Sequence, residues 1–306
     1  MKSVLIGSVH SSRVVLEELI ATGNPPMMVY SLDEAVSQNI SGYDPIYEVA
    51  QDYGIPFRKF RKISTPEHAE ELRQLAPDYL FVVGLSQLVG EPILQTAKQG
   101  VVGLHPTPLP KFRGRAAMVW QILLGVRESA ITLFLIDKGM DSGPILDQEP
   151  FLIGEDDYAA DMERSCLEAL RRLCRRLFPQ MAAGTVRPVP QDETQATYLL
   201  KRSPEDGLID WSLPAQEIRR LIRATSHPYP GAFSHYDGKR LVTFWRADVV
   251  DNYRYIGFPG QIAYKEGNIL YVLAGDGALL RMTEYDCQTE GPLLVGHRFR
   301  QKGEVR

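Results

Sequence analysis

Short apolar runs and amphipathic stretches alternate through the first half of the chain. SVLIG (3–7) reads as a strand. SSRVVLEELIATG follows with helical periodicity, from an N-cap serine to a terminal Gly23. PMMVYSL predicts a second strand, and DPIYEVAQDYGIPF predicts a helix stopped at Gly54 with a strand beyond it. In TPEHAEELRQLAPD, Thr65 is the N-cap and Pro66 lies in the first turn. Glu67 and Glu70 lie near the positive helix end. YLFVVG (79–84), VVGLH (101–105) and ITLFLI (131–136) are continuously apolar, as strands buried on both faces are. AAMVWQILLG predicts an amphipathic helix between the last two. This alternation predicts an α/β domain with a Rossmann-like, doubly wound, mostly parallel sheet.

Residues 157–178 predict one long helix, with Met162, Cys166, Leu170, Leu173 and Leu177 on its apolar face and Pro179 ending or kinking it. Its arginines, Arg171, Arg172, Arg175 and Arg176, read as a solvated face. Periodicity then fades in a proline-rich, charged stretch, so residues 1–185 are expected to form one domain and 186–205 a linker. Beyond it, one helix precedes regular β runs with Gly-Asp and Asp-Gly turns. Residues 206–306 are therefore expected to form a smaller C-terminal β-barrel-like (OB-like) domain.

Composition narrows the class. The 306 residues are 44% hydrophobic and 24% charged, as in an ordinary globular protein of two domains. The N-terminal apolar run is too short for a signal peptide, and no stretch approaches the roughly 20 apolar residues of a membrane span. The three cysteines, Cys166, Cys174 and Cys287, show no metal or redox spacing, which fits packing roles in a reducing cytosol and indicates no metal. A net charge of −4 argues against a nucleic-acid partner. GSVHSS after the first strand lacks the glycine fingerprint of a dinucleotide loop, so a nicotinamide enzyme is not indicated.

Candidate chemistry gathers after two strands. His105 ends an apolar strand, where open α/β sheets collect ligands. As a residue type, histidine exchanges protons near neutral pH. TPLPKFRGR follows, with prolines that fix the turn and Gly114 that allows close backbone approach. IDKGMDSGPIL (136–146) places Asp141 in a glycine-flanked loop, 36 residues after His105, where a carboxylate can orient an imidazole and balance its charge.

HPTPLPKFRGRAA followed by DKGMDSG resembles the folate-dependent formyltransferases. That family uses 10-formyltetrahydrofolate and includes methionyl-tRNA formyltransferase, the sugar-nucleotide N-formyltransferases and glycinamide ribonucleotide transformylase. The resemblance extends through SPEDGLIDWSLPAQEIRRLIRATSHPYPGAF to the terminal β runs. It implies that His105 acts in proton transfer and that Asp141 orients it. It also implies that the 84–90 loop (Leu85, Gln87, Leu88) and the 137–141 loop (Asp137, Gly139) face a pterin pocket. Gly103 departs from the pattern: the family usually has an asparagine there, whose amide helps to bind the developing oxyanion. Losing one such donor typically costs roughly 3–4 kcal/mol of transition-state stabilisation. A backbone group, a water or another side chain could replace it. Otherwise the site would favour hydrolysis of the formyl donor, or would be a retired folate or nucleotide-sugar binding site.

Charge and resemblance together narrow the acceptor. The tRNA enzymes usually carry a basic loop after the second strand. Here SLDEAVSQNISGYDPIYEVAQ (31–51) has no Lys or Arg, which points away from tRNA and toward a small acceptor. PEDGLIDW and HPYPGAF resemble the sugar-nucleotide enzymes more than the tRNA enzymes, which implies a nucleotide-linked amino-deoxysugar. Arg113 and Arg115 are placed as contacts to its diphosphate, Gly114 as a substrate-side residue that lets the backbone pass close, and Tyr229 as a stacking or packing ring. His10 lies at the same sheet edge, as a substrate contact or a helix-start residue. A homodimer through the second domain is expected by resemblance alone.

Overall fold

The computed structural model describes residues 1–38, 40–85 and 87–300. Ser86 in the 84–90 loop and residues 301–306, the end of the expected second domain, lie outside them. The chain divides into two compact units. The first comprises Met1–Ala117, Glu128–Leu152 and Arg164–Leu199, and the second Met118–Arg127, Ile153–Glu163 and Leu200–Arg306. No helix among the described residues is long and apolar enough to cross a membrane.

The first unit contains, in order, β1 (Ser3–Gly7), α1 (His10–Ala21), β2 (Met28–Leu32), α2 (Tyr47–Asp52), β3 (Phe57–Phe60), α3 (Pro66–Leu75), β4 (Tyr79–Val83), α4 (Glu91–Leu94), β5 (Gly100–His105) and β6 (Arg113–Gly114). α5 (Ala117–Leu123) leads out of it, and β7 (Glu128–Leu135), β8 (Ile145–Leu152), most of α6 (Ala159–Ala182) and β9 (Tyr198–Leu199) return to it. The seven-stranded sheet runs β3-β2-β1-β4-β5-β7-β8. Its first five strands are parallel, whereas β7 and β8 are antiparallel. One sheet face buries Ile6, Leu80 and Val101 beneath Leu72 of α3 and Ile93 of α4. On the other, Phe81 meets Phe178 of α6 edge to face. The strand order reverses between β1 and β4, the usual ligand crevice. Here that crevice is closed by hydrogen bonds: Ser8 Oγ donates to the Gly84 carbonyl, and Ser12 Oγ donates to the Val83 carbonyl while accepting from the Ser8 and Val9 amides.

Several local expectations change. α1 starts at His10 rather than after a serine N-cap, because Ser12 reaches back to the Val9 amide from inside the helix. α6 runs through Pro179 to Ala182. An interior proline forfeits its own N–H bond and crowds the preceding turn, but Phe178 and Met181 remain buried on either side of it. The α6 arginines are solvent-accessible as expected but also ion-paired: Arg171 and Arg175 pair with Glu17 and Glu18 of α1, and Arg172 and Arg176 with Asp147 and Glu149 of β8. The expected linker is also tied down, since β9 pairs in parallel with β6.

In the second unit, α7 (Ala215–Thr225) packs on an antiparallel sheet of β10 (Ala232–Tyr236), β11 (Arg240–Val250), β12 (Ile262–Glu266), β13 (Ile269–Leu273), β14 (Leu279–Cys287) and β15 (Phe299–Arg300). The strand order is β12-β13-β14-β11-β10-β15. The two edges approach each other: the Ile262 amide donates to the His297 carbonyl and the Phe299 amide to the Gly260 carbonyl. The sheet thus curls toward a barrel around Trp211, Phe244 and Phe299. Such closure covers sheet edges that would otherwise be open to pairing.

Candidate active site

His105 is the last residue of β5 and is 6% exposed. Its Nε2 lies 2.7 Å from the Phe112 carbonyl, an acceptor, so Nε2 carries the hydrogen. In the neutral imidazole this leaves the Nδ1 lone pair as the proton acceptor, and Nδ1 lies 3.7 Å from Asp141 Oδ2. The Phe112 carbonyl is held in turn. Phe112 has φ 63°, in the left-handed region, and its amide donates to Thr197 Oγ1. The preceding turn is fastened to β7 and β8: Thr132 Oγ1 donates to the Thr107 carbonyl, and Gln148 Nε2 donates to the Leu109 carbonyl and to Thr132 Oγ1.

Asp141 is held from two sides. The Gly114 amide donates to Oδ2 at 2.8 Å, and Gln191 Nε2 donates to the Asp141 and Gly143 carbonyls. Gly114 has φ 110°, and a Cβ there would lie 2.3 Å from the Leu199 carbonyl oxygen. Only glycine fits the place where β6 meets β9. The Gln191 Oε1 accepts from Arg113, whose guanidinium also pairs with both oxygens of Glu193. Arg113 is 1% exposed, so it differs from the expected diphosphate contact. Its N–H groups are spent on Gln191, Glu193 and Tyr198, and it positions the Asp141 loop from behind. Arg115 is exposed and has no ion-pair partner among the described residues. Tyr229 is half-buried in the second unit, and His10 opens α1 with its amide donating to the Gly42 carbonyl.

Beside this pair lies a cleft of ≈ 920 Å³, and it gathers the remaining expected residues: Leu85, Gln87, Leu88, Asp137, Gly139 and Asp141. Its floor is one cross-strand row, Val82 opposite Gly103 opposite Phe134, extended by Ile136. Gln87 does not aim its amide into the cleft. Oε1 accepts from the Ile63 amide and Nε2 donates to the Arg61 carbonyl, so the side chain anchors its loop. Leu88 is 85% exposed, and Asp137 Oδ1 braces the opposite loop by accepting from the Gly139 amide and Ser142 Oγ. The cleft therefore offers an apolar floor between two loops braced by side chains. The bracing residues Gln148, Gln191, Glu193 and Thr132 carried no motif, and only long-range pairing reveals them.

The Formyl transferase profile matches residues 24–176, and its C-terminal domain profile matches residues 201–288. The chain belongs to the formyl transferase family. Among solved structures, HypX from Aquifex aeolicus in complex with tetrahydrofolic acid is similar at TM-score 0.69 and 18% identity over 94% of this chain. This chain spans 44% of the HypX chain. The N-formyltransferase from Helicobacter canadensis, in complex with folinic acid and dTDP-3-aminofucose, is similar at TM-score 0.64 and 20% identity, over 92% of this chain and 98% of its own. Methionyl-tRNA formyltransferase from Clostridium thermocellum matches at TM-score 0.59 and 18% identity, over 81% of this chain and 93% of its own.

Family membership gives Gly103 its interest. Gly103 and His105 point to one sheet face, two residues apart. A Cβ on Gly103 would lie 2.9 Å from Ile136 Cγ1 and 3.0 Å from the Phe134 ring. The volume that a side chain at 103 would enter is taken by these two apolar neighbours.

Proposed function

We propose that the chain transfers the formyl group of 10-formyltetrahydrofolate to the amino group of a nucleotide-linked amino-deoxysugar. The observation that carries this is the His105–Asp141 pair, with His105 buried and both residues braced beside the cleft in a chain of this family. The apolar floor and the braced loops suit a flat heteroaromatic ring with polar edges. For the acceptor, support comes from the Helicobacter enzyme matched along nearly its whole length, and from a 31–51 segment without cations.

In the reaction the amine nitrogen bonds to the formyl carbon, and the bond from that carbon to N10 of the donor breaks. The amine loses a proton and N10 gains one. His105 takes the amine proton on Nδ1, because Nε2 is already committed to the Phe112 carbonyl. Asp141 faces the resulting cation, and its 3.7 Å separation leaves room to tighten when substrate binds. Arg115 supplies a free guanidinium for a phosphate oxygen.

The test is tetrahydrofolate release from 10-formyltetrahydrofolate with a panel of nucleotide-linked amino sugars, a methionyl-tRNA control and a no-acceptor control. Release should depend on one sugar and yield its N-formyl product. His105→Ala should abolish it, and Asp141→Asn should lower it by about 10²- to 10⁴-fold. Turnover near wild type in either variant, or release that needs no sugar, would overturn the assignment.

A further inference from the structure

The second unit carries a separate cleft of ≈ 220 Å³, lined by Arg127, Arg219, Arg220 and Arg223 together with Gln216 and a single carboxylate, Glu155. Its walls are fixed to each other, since the Ile153 amide donates to the Arg127 carbonyl. Gln216, Arg219, Arg220 and Arg223 fall at i, i+3, i+4 and i+7 of α7 and therefore share one face. Like charges at i+3 and i+4 spacing repel, so Arg223 faces both Arg219 and Arg220 along this face.

The acids nearby partner only two of the four arginines. Arg127 lies 3.8 Å from Glu155, an exposed pair, and Arg219 is bonded to Asp156. Arg220 and Arg223 have no carboxylate within ion-pair distance among the described residues. Arg223 is 8% exposed and donates only to carbonyls, from Nε to Asp157 and weakly from Nη2 to Gly154. Buried guanidinium groups are ordinarily paired. Burial, and then the charge of Arg219, holds the Arg223 guanidinium below its ordinary value.

We propose that this cleft binds the phosphate or diphosphate group of a small molecule, with Arg220 and Arg223 as its principal contacts and Arg127 at the rim. An anion would supply the counter-charge that Arg223 lacks and relieve the repulsion along α7. Arginine's forked donors match phosphate oxygens. The size of the cleft suits a diphosphate group rather than a nucleotide in full. The inference does not depend on formyl transfer, because the site is defined by charge within the second unit.

The test is calorimetric titration of the full chain with inorganic pyrophosphate and with inorganic phosphate. Pyrophosphate should bind at one site per chain, and more weakly as salt is raised. Arg220→Ala and Arg127→Ala, both at solvent-accessible positions, should each weaken it about tenfold or more, while Arg254→Ala, at an exposed arginine outside the cleft, does not. Circular dichroism and the thermal midpoint establish that the variants are folded. Absence of binding at millimolar pyrophosphate would overturn the proposal. So would wild-type affinity in both cleft variants, equal weakening by Arg254→Ala, or displacement of pyrophosphate by micromolar tRNA.

Discussion

The hydrogen bond from His105 to the Phe112 carbonyl decides which nitrogen can take a proton, because a backbone carbonyl can only accept. The prolines and the left-handed Phe112 in the following turn aim that carbonyl back at the histidine. Both the histidine and the aspartate were legible from the sequence, since each follows an apolar strand in a proline- or glycine-marked loop. The partner carbonyl was not, because a backbone group carries no residue signature. Gly103 is a second residue-scale case. The sequence presents it as a missing amide, whereas the structure shows a position packed by Ile136 and Phe134. Restoring asparagine would force both neighbours aside. Gly103→Asn is therefore expected to cost about 1–3 kcal/mol of stability through overpacking and to leave formyl transfer no faster than wild type. A thermal melt and the tetrahydrofolate-release assay check both, and a stable, faster Gly103→Asn enzyme would show that the neighbours yield readily.

At the scale of elements, helix periodicity located α6, its apolar face and its solvated arginine face, but not the acids those arginines pair with. Periodicity says which residues face away from the core and nothing about what waits there. Glu18 of α1 is buried and accepts hydrogen bonds from Arg171 and Arg175. Burial alone would raise its carboxyl. The Arg175 and Arg171 hydrogen bonds more than offset this, and its pKa is lowered. A carboxyl lowered in the folded state contributes stability that is present above its unfolded value, about 4.3, and is lost as pH falls through the folded value. Glu18→Gln should thus cost about 1–3 kcal/mol at neutral pH. The difference from wild type should shrink as pH falls below about 4. Urea midpoints of both proteins across this range measure it, and a difference that stays constant would remove the ion pairs as its cause. The same limit explains why β7 and β8 were not anticipated as an antiparallel pair: apolar runs mark buried strands without fixing their direction.

For the whole molecule, composition shifts marked a change of character near residues 186–205 but implied a boundary that is contiguous in sequence. The packing does not respect it. Residues 118–127 and 153–163 belong to the second unit, although they lie far upstream of the expected linker. Their contribution is specific. Tyr158 sits in the apolar core with Trp211 and Phe244, and its hydroxyl donates to the Ala247 carbonyl and accepts from the Ala247 amide on β11. The Asp157 carbonyl accepts from Arg223, and Asp156 pairs with Arg219. A fragment of residues 200–306 would lose all of these partners at once. Removing a buried aromatic side chain typically costs about 3–5 kcal/mol, which is comparable to the whole stability of a marginal domain. The fragment is therefore expected to be largely unfolded under conditions where the full chain is native, and Tyr158→Ala in the full chain should loosen β11 selectively. Near-ultraviolet circular dichroism of the fragment tests the first expectation and amide hydrogen exchange at residues 240–250 the second. A cooperative, native-like melt from the fragment would show that the strands after the linker form a self-sufficient core, and that the upstream segments only rest upon it.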